Sequence, residues 1–234
     1  MFSPPCFLLI MNDEIAINLK KILGQIADGN DRGEKITLLG ATKFVDAERI
    51  KTACENGLTA IGENHAQEFR DKFPSYPENV EKHFIGTLQS NKLKYVVGKA
   101  DYIDSVSSVN LAEKINESAA RLGIVQKIMI EINAADEPNK TGMKFSDAKA
   151  AYEKIKTLQN VKVCGIMAML PATDDEAALA ESTEKIRDLY DEIKSENPDM
   201  KYLSIGMTND YSVAIKHGSN MIRLGRAIFG ERRY

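Results

Sequence analysis

The amino-acid sequence predicts a single α/β domain in which eight βα units close into a (β/α)8 TIM barrel. Eight short apolar runs alternate with stretches of helical periodicity, the pattern of parallel βαβ units. The 234 residues match the roughly 200 to 250 that one such barrel needs. No Pro/Gly/Ser-rich linker, low-complexity tract or repeat beyond the βα rhythm divides residues 1–234, so one domain is the simplest reading. An open doubly wound sheet of the same units is the alternative, and alternation alone does not separate the two.

Taking the elements in order, residues Met1 to Ile10 are apolar but lack a basic leader and a small-residue cleavage site, and they are too few to span a bilayer. The amphipathic pattern begins just after Met11. Residues 1–11 are therefore expected to be a start-site extension or disordered, with translation beginning at Met11. Pro4–Pro5 is not expected to join a helix. Ile15, Leu19, Ile22, Leu23 and Ile26 form one helical face, which Gly29 ends. The run Ile36 to Thr42 reads as a buried strand with Lys43 at its C-terminal end. Seven further strands are expected at Leu58–Ile61, His83–Gly86, Tyr102–Val106, Lys127–Ile132, Val161–Met169, Tyr202–Ile205 and Met221–Leu224. Leu111, Ile115, Ala119 and Leu122 recur at near-helical spacing, and Thr173-Asp-Asp-Glu176 reads as a capping box that opens another helix.

Composition narrows the function classes. With 43% hydrophobic and 28% charged residues the chain is an ordinary globular one. A net charge of −3 gives no general attraction to nucleic acid or to an anionic membrane, which favours a small-molecule partner. Cys6, Cys54 and Cys164 are far apart and form no CxxC pair, so neither a disulfide framework nor a zinc cluster is expected and a reducing cytoplasm fits. His65, His83 and His217 lack metal-ligand spacing, and no metal site is expected. His83 reads as a strand opener.

Polar residues gather just past the strands: Lys43, Gly62-Glu-Asn64, Gly86 to Asn91, Asn133, Gly206-Met-Thr208 and Gly225-Arg226. In a barrel that rim carries function, although any one such residue can be a turn or cap. A lysine at the inner end of a buried strand is costly to desolvate, and burial lowers its pKa and exposes a nucleophilic amine. Such an amine can form an imine with an aldehyde, and a salt bridge to Glu63 or Asp104 is the structural alternative. Ser204-Ile-Gly-Met-Thr208 and Arg223-Leu-Gly-Arg-Ala-Ile-Phe-Gly230 carry glycines, hydroxyls and an arginine after the last two strands, as a phosphate cup requires. Together with Lys43 they suggest a phosphorylated aldehyde. Asn139-Lys-Thr-Gly-Met143 is a loop whose Lys140 could lie over the rim.

These segments, with Ile61-Gly-Glu-Asn64, Gln67-Glu68, His83-Phe-Ile-Gly-Thr-Leu-Gln-Ser-Asn-Lys92, Lys140-Thr-Gly142 and Gly165-Ile-Met-Ala-Met169, resemble the pyridoxal phosphate homeostasis proteins, also called proline synthase co-transcribed homologues. The resemblance runs from about Ile15 onward. It implies a barrel like the N-terminal domain of alanine racemase (a fold type III protein) holding pyridoxal 5′-phosphate (PLP) as an internal aldimine on Lys43. It further implies intracellular binding, buffering and delivery of PLP, with no catalytic residues and no firm turnover. Apo-PLP enzymes are the expected acceptors, and a monomer is expected. By position, the resemblance implies that Ser204 and Thr208 hold phosphate oxygens with the backbone N–H groups of Gly225 and Arg226. Arg223 should reach the phosphate or the pyridine nitrogen, and Asn64 should approach the ring.

The chain departs from the family where Arg226 replaces a small hydroxyl residue, where Thr42 and Val45 replace serine and proline, and where His65 replaces tyrosine. The rival implied by the same barrel is a PLP-dependent amino-acid racemase. Such enzymes add a second, β domain, whereas this sequence stops at Tyr234 just after the eighth strand and its closing helix, and the carrier is the expected reading. A third reading is an aldolase-type imine with a sugar phosphate.

Overall fold

The computed structural model describes the backbone of residues 4–134 and 141–231, and the side chains of all of these except 4–12. In chain order the elements are α1 (Pro4–Gln25), β1 (Thr37–Ala41), α2 (Ala47–Glu55), β2 (Ala60–Glu63), α3 (Ala66–Lys72), β3 (Glu81–Phe84), α4 (Leu93–Val96), β4 (Tyr102–Val106) and α5 (Val109–Leu122). There follow β5 (Gln126–Asn133), β6 (Met143–Lys144), α6 (Phe145–Ile155), β7 (Val161–Met169), α7 (Glu176–Glu196), β8 (Tyr202–Ser204), α8 (Tyr211–Lys216), β9 (Met221–Leu224) and α9 (Arg226–Phe229).

Each barrel strand pairs in parallel with the next, in the order β4-β3-β2-β1-β9-β8-β7-β5, and β4 pairs with β5. The sheet is thus a closed ring of eight strands, as expected, and the open alternative is excluded. Closure leaves no free sheet edge in the ring. The ninth strand, β6, lies outside the ring and pairs Met143 with Ile132 and Lys144 with Asn133 on the upper half of β5. Two residues with no apolar run of their own gave no sequence signal for it. The strand expected over Leu58–Ile61 lies two residues later, because Leu58 closes the turn after α2 through its N–H to Ala53 O while its side chain stays in the core.

Two apolar layers follow from the alternation of side chains along strands buried on both faces. One, including Leu19, Ile50, Phe69, Ile115, Ile155 and Tyr190, packs the helices onto the outside of the ring. The other fills the barrel interior with Leu39, Ala60, Tyr102, Met129, Cys164, Tyr202 and Met221. No helix of the described residues is long and apolar enough to cross a membrane.

Two local expectations are corrected. The first helix begins at Pro4, since prolines in a first turn have no N–H that the helix needs and a preset φ. Ahead of α7 the cap is Asp175, whose side chain accepts from Ala177 N and Ala178 N. Thr173 instead accepts from the N–H of Asp175, so the capping box does not form.

Candidate functional site

At the C-terminal end of the barrel lies a cavity of about 220 Å³, far above the roughly 15 Å³ that holds one water. Its polar wall is Lys43, Asn64, Thr87, Glu131, Thr141 and Arg223, and its apolar wall includes Met167, Met169 and Met207. Lys43, Asn64 and Arg223, singled out in the sequence as rim residues, therefore converge on one space from β1, β2 and β9.

Arg223 is built in, at 6% exposure. Its Nη1 donates to Ser204 O at 2.6 Å and Ser204 Oγ at 2.9 Å, and its Nη2 donates to Ala168 O at 2.9 Å. Of the five N–H donors of a guanidinium, these three bonds leave two without a hydrogen bond among the described residues. Burial pulls its pKa down, and Asp104, Asp210 and Glu131 only partly offset that. Ser204 itself is fully buried and does not line the cavity. In this structure its hydroxyl accepts from Arg223 Nη1 and so anchors that guanidinium.

Thr208 lies exposed in the loop after β8, Gly225 is half-buried, and Arg226 is exposed at the start of α9. None of the three lines the cavity wall. First-turn N–H groups such as that of Arg226 have no acceptor within a helix. The loop carrying Met207 and Thr208 is shaped by Gly206 at φ +109 and by Asp210 Oδ1, which accepts from Met207 N at 2.5 Å. Lys140 lies outside the described residues.

Glu131 was not singled out in the sequence. It sits 4% exposed within the run Lys127–Ile132, and a carboxylate interrupting a buried strand was the available signal. Its Oε1 accepts from Thr141 Oγ1 at 2.6 Å, while its buried Oε2 has no hydrogen-bond partner among the described residues. Burial pushes its pKa up, against the Thr141 bond and the Arg223 charge. The carboxyl is thereby biased toward its protonated form.

The salt bridges considered for Lys43 are formed by other cations. Glu63 Oε2 takes Lys72 Nζ at 3.1 Å, and Asp104 takes His83 Nδ1 at 2.9 Å. His83 lies inside β3 rather than opening it, fully buried and stacked on Tyr102 at 4.7 Å between centroids. Its Nε2 is 3.5 Å from Glu81 Oε2. Burial alone would lower its pKa, but the Asp104 charge and hydrogen bond, with Glu81, raise it to about 9.

Around Lys43 the backbone is held under strain. Phe44 has φ 61, a left-handed conformation that costs a bulky residue on the order of 1–2 kcal/mol. Its N–H donates to Glu68 Oε1 at 2.7 Å, and its ring meets His65 at 5.1 Å. On the neighbouring strand end a Cβ at Gly86 would lie 2.0 Å from Asn64 O. Only glycine lets the chain after β3 close against Asn64. Glu63, His65 and Glu68 bring ligand-type atoms within 4.8 Å of one another, and the Lys72 ammonium bonds to both carboxylates.

With this geometry described, the likeness to known proteins is specific. The family described as alanine racemase, N-terminal domain, matches residues 39–233. A protein of Aquifex aeolicus named pyridoxal phosphate homeostasis protein is 40% identical over 206 residues, which is 87% of this chain and 90% of that one. The structure of PipY from Synechococcus elongatus with PLP bound superposes with a TM-score of 0.79 at 28% identity, covering 92% of this chain and all of PipY. Alanine racemase of Clostridium difficile shares the fold, with a TM-score of 0.75 at 15% identity over 95% of this chain and 57% of the racemase. The chain belongs to the pyridoxal phosphate homeostasis protein family, built on the alanine racemase N-terminal domain fold.

Proposed function

We propose that the cavity binds pyridoxal 5′-phosphate through Lys43, and that the chain holds, buffers and delivers this cofactor in the cytoplasm, as a monomer, without substrate turnover of its own. The observation that carries the reading is the convergence of a primary amine, Lys43, and a guanidinium with two donors to spare, Arg223, on one ligand-sized space. The donor set fits the group: an amine for the aldehyde, N–H donors for the ring nitrogen, and Thr208 with the backbone N–H groups of Gly225 and Arg226 for the phosphate. Family membership and PipY, described with PLP bound, support the same ligand.

When bound, the cofactor supplies an electrophilic carbonyl carbon. Lys43, on the cavity wall, would hold the cofactor there through its amine, which is nucleophilic in its neutral form. Arg223, fixed by Ser204 and Ala168, would hold the pyridine nitrogen or the phosphate, and at the nitrogen it would oppose protonation. That weakens the electron sink which carbanion chemistry needs, consistent with holding rather than turning over. Asn64 borders the ring, and Met167, Met169 and Met207 exclude water from the apolar wall.

Absorbance titration of the purified chain with PLP tests the reading. Visible absorbance that borohydride abolishes, and that is absent in Lys43→Ala, is expected, as is transfer of PLP to an apo-enzyme acceptor. A chain that cannot be loaded refutes cofactor binding. Racemisation of any amino acid in a panel at about 1 s⁻¹ or faster refutes the carrier role.

A further inference from the structure

Behind the cavity wall a single ammonium ties together the two loops that carry Lys43 and Asn64. Lys72, near the end of α3, donates to Thr42 O at 2.9 Å, to Glu63 Oε2 at 3.1 Å and to Glu68 Oε1 at 2.5 Å. These three bonds use all its N–H donors. Its side chain is 14% exposed and that of Glu63 is 1% exposed, so the cluster lies largely out of water. Each carboxylate then reaches back to the loops. Glu63 Oε2 accepts from Thr42 Oγ1 at 3.3 Å and Glu63 Oε1 from Asn64 N at 2.8 Å. Glu68 Oε1 accepts from Phe44 N at 2.7 Å, and Glu68 Oε2 contacts His65 Nδ1 at 3.0 Å.

The residues on both sides of Lys43 are therefore bonded to one ionic cluster, and Phe44 is held there in the left-handed region at φ 61. Left to itself, a phenylalanine relaxes out of that region, and the direction of the preceding side chain changes with it. The geometric consequence of the cluster is the orientation of Lys43 and Asn64.

We propose that Lys72, acting through Glu63 and Glu68, is a positioning residue that holds the Lys43 amine in the attitude needed to react with the cofactor aldehyde. This rests on Lys43 being the cofactor amine. Lys72 touches neither cofactor nor reacting atoms, and its effect is confined to the bond-forming step. Apart from Asn64, whose N–H meets Glu63, noncovalent binding of ring and phosphate falls to Arg223 and the loops after β8 and β9, which the cluster does not contact.

Two ligands separate these roles: PLP, and pyridoxine 5′-phosphate, which carries an alcohol in place of the aldehyde and cannot bond to the amine. In Lys72→Met the rate of C=N formation with PLP is expected to fall about tenfold or more, as for a misaligned reacting group. Affinity for pyridoxine 5′-phosphate, which depends on the cluster through Asn64 alone, is expected to fall far less than that rate. Hydrogen exchange at the Phe44 amide of the unloaded chain is expected to accelerate. Glu68→Ala, which removes the Phe44 acceptor but leaves the Lys72–Glu63 pair, is expected to show the same split and carries the test if Lys72→Met does not fold. Wild-type loading rates in both variants overturn the proposal, as does a parallel loss of both ligands, which marks a general structural role. A wild-type chain that takes up neither ligand overturns the cavity reading and the brace with it. Normal wild-type loading with unslowed variants overturns the brace alone.

Discussion

Asp104→Asn tests the electrostatics of the barrel interior. Asp104 Oδ1 and Oδ2 lie 2.9 and 3.0 Å from His83 Nδ1, and both side chains are fully buried. His83 is raised to about 9, so at neutral pH the interior holds an imidazolium between Asp104 and Glu81. Glu81 stays ionised throughout. Burial alone would raise its pKa, but the nearby His83 ring and the bonds from Lys201 and Tyr202 hold it at about 2. Removing one partner of a buried charged pair costs about 3–5 kcal/mol, and Asp104→Asn is expected to lose that much unfolding free energy near pH 7. The loss must depend on pH with a definite sign. Because the folded pKa of His83 lies above its unfolded value of about 6.5, its stabilisation is complete below about pH 6.5 and fades as pH rises through about 9. The shift corresponds to on the order of 3 kcal/mol. Denaturant unfolding of both proteins from about pH 6 to about pH 10 should give stabilities that converge as pH rises. A constant gap across that range would show that the contribution of Asp104 does not depend on titration of His83 and would contradict the raised pKa.

Gly86→Ala places a methyl group 2.0 Å from Asn64 O, a backbone atom. Forced rearrangement of this kind costs about 1–3 kcal/mol or more, so a lower thermal midpoint and weaker PLP retention are expected together, and unchanged values of both would contradict the close approach. Asp175→Ala removes the acceptor for Ala177 N and Ala178 N and should cost about 1 kcal/mol in denaturant unfolding, with cofactor loading unaffected. Ser204→Ala removes one charge-assisted bond from Arg223, and about 1.5–3 kcal/mol of stability should be lost along with some cofactor retention. Loss of retention with full stability would instead point to direct phosphate contact by Ser204.

The eight ring strands were legible because a parallel sheet buried on both faces writes itself as short, nearly continuous apolar runs. Lys43 stood out for the complementary reason, a charge at the end of such a run. What stayed hidden depends on register and on contacts distant in sequence. β6 exists only through its pairing with the upper half of β5. The bond from Arg223 to Ser204 joins two strands and shows only once the ring has closed. Glu131 was visible as a polar residue inside an apolar run, but its place in the cavity follows only from closure of the ring. Lys72, Glu63 and Glu68 lie near one another in sequence, yet their link to Thr42 and Phe44 requires α3 to pack beside the end of β1.

Whether Lys43 carries the cofactor is read by loading the chain with PLP, reducing with borohydride and mapping the modified peptide by mass spectrometry. The expected result is the reduced phosphopyridoxyl group on Lys43, with blocked tryptic cleavage at that position. A label on another lysine while Lys43 stays unmodified, or no label on a chain that visibly binds PLP, would contradict it.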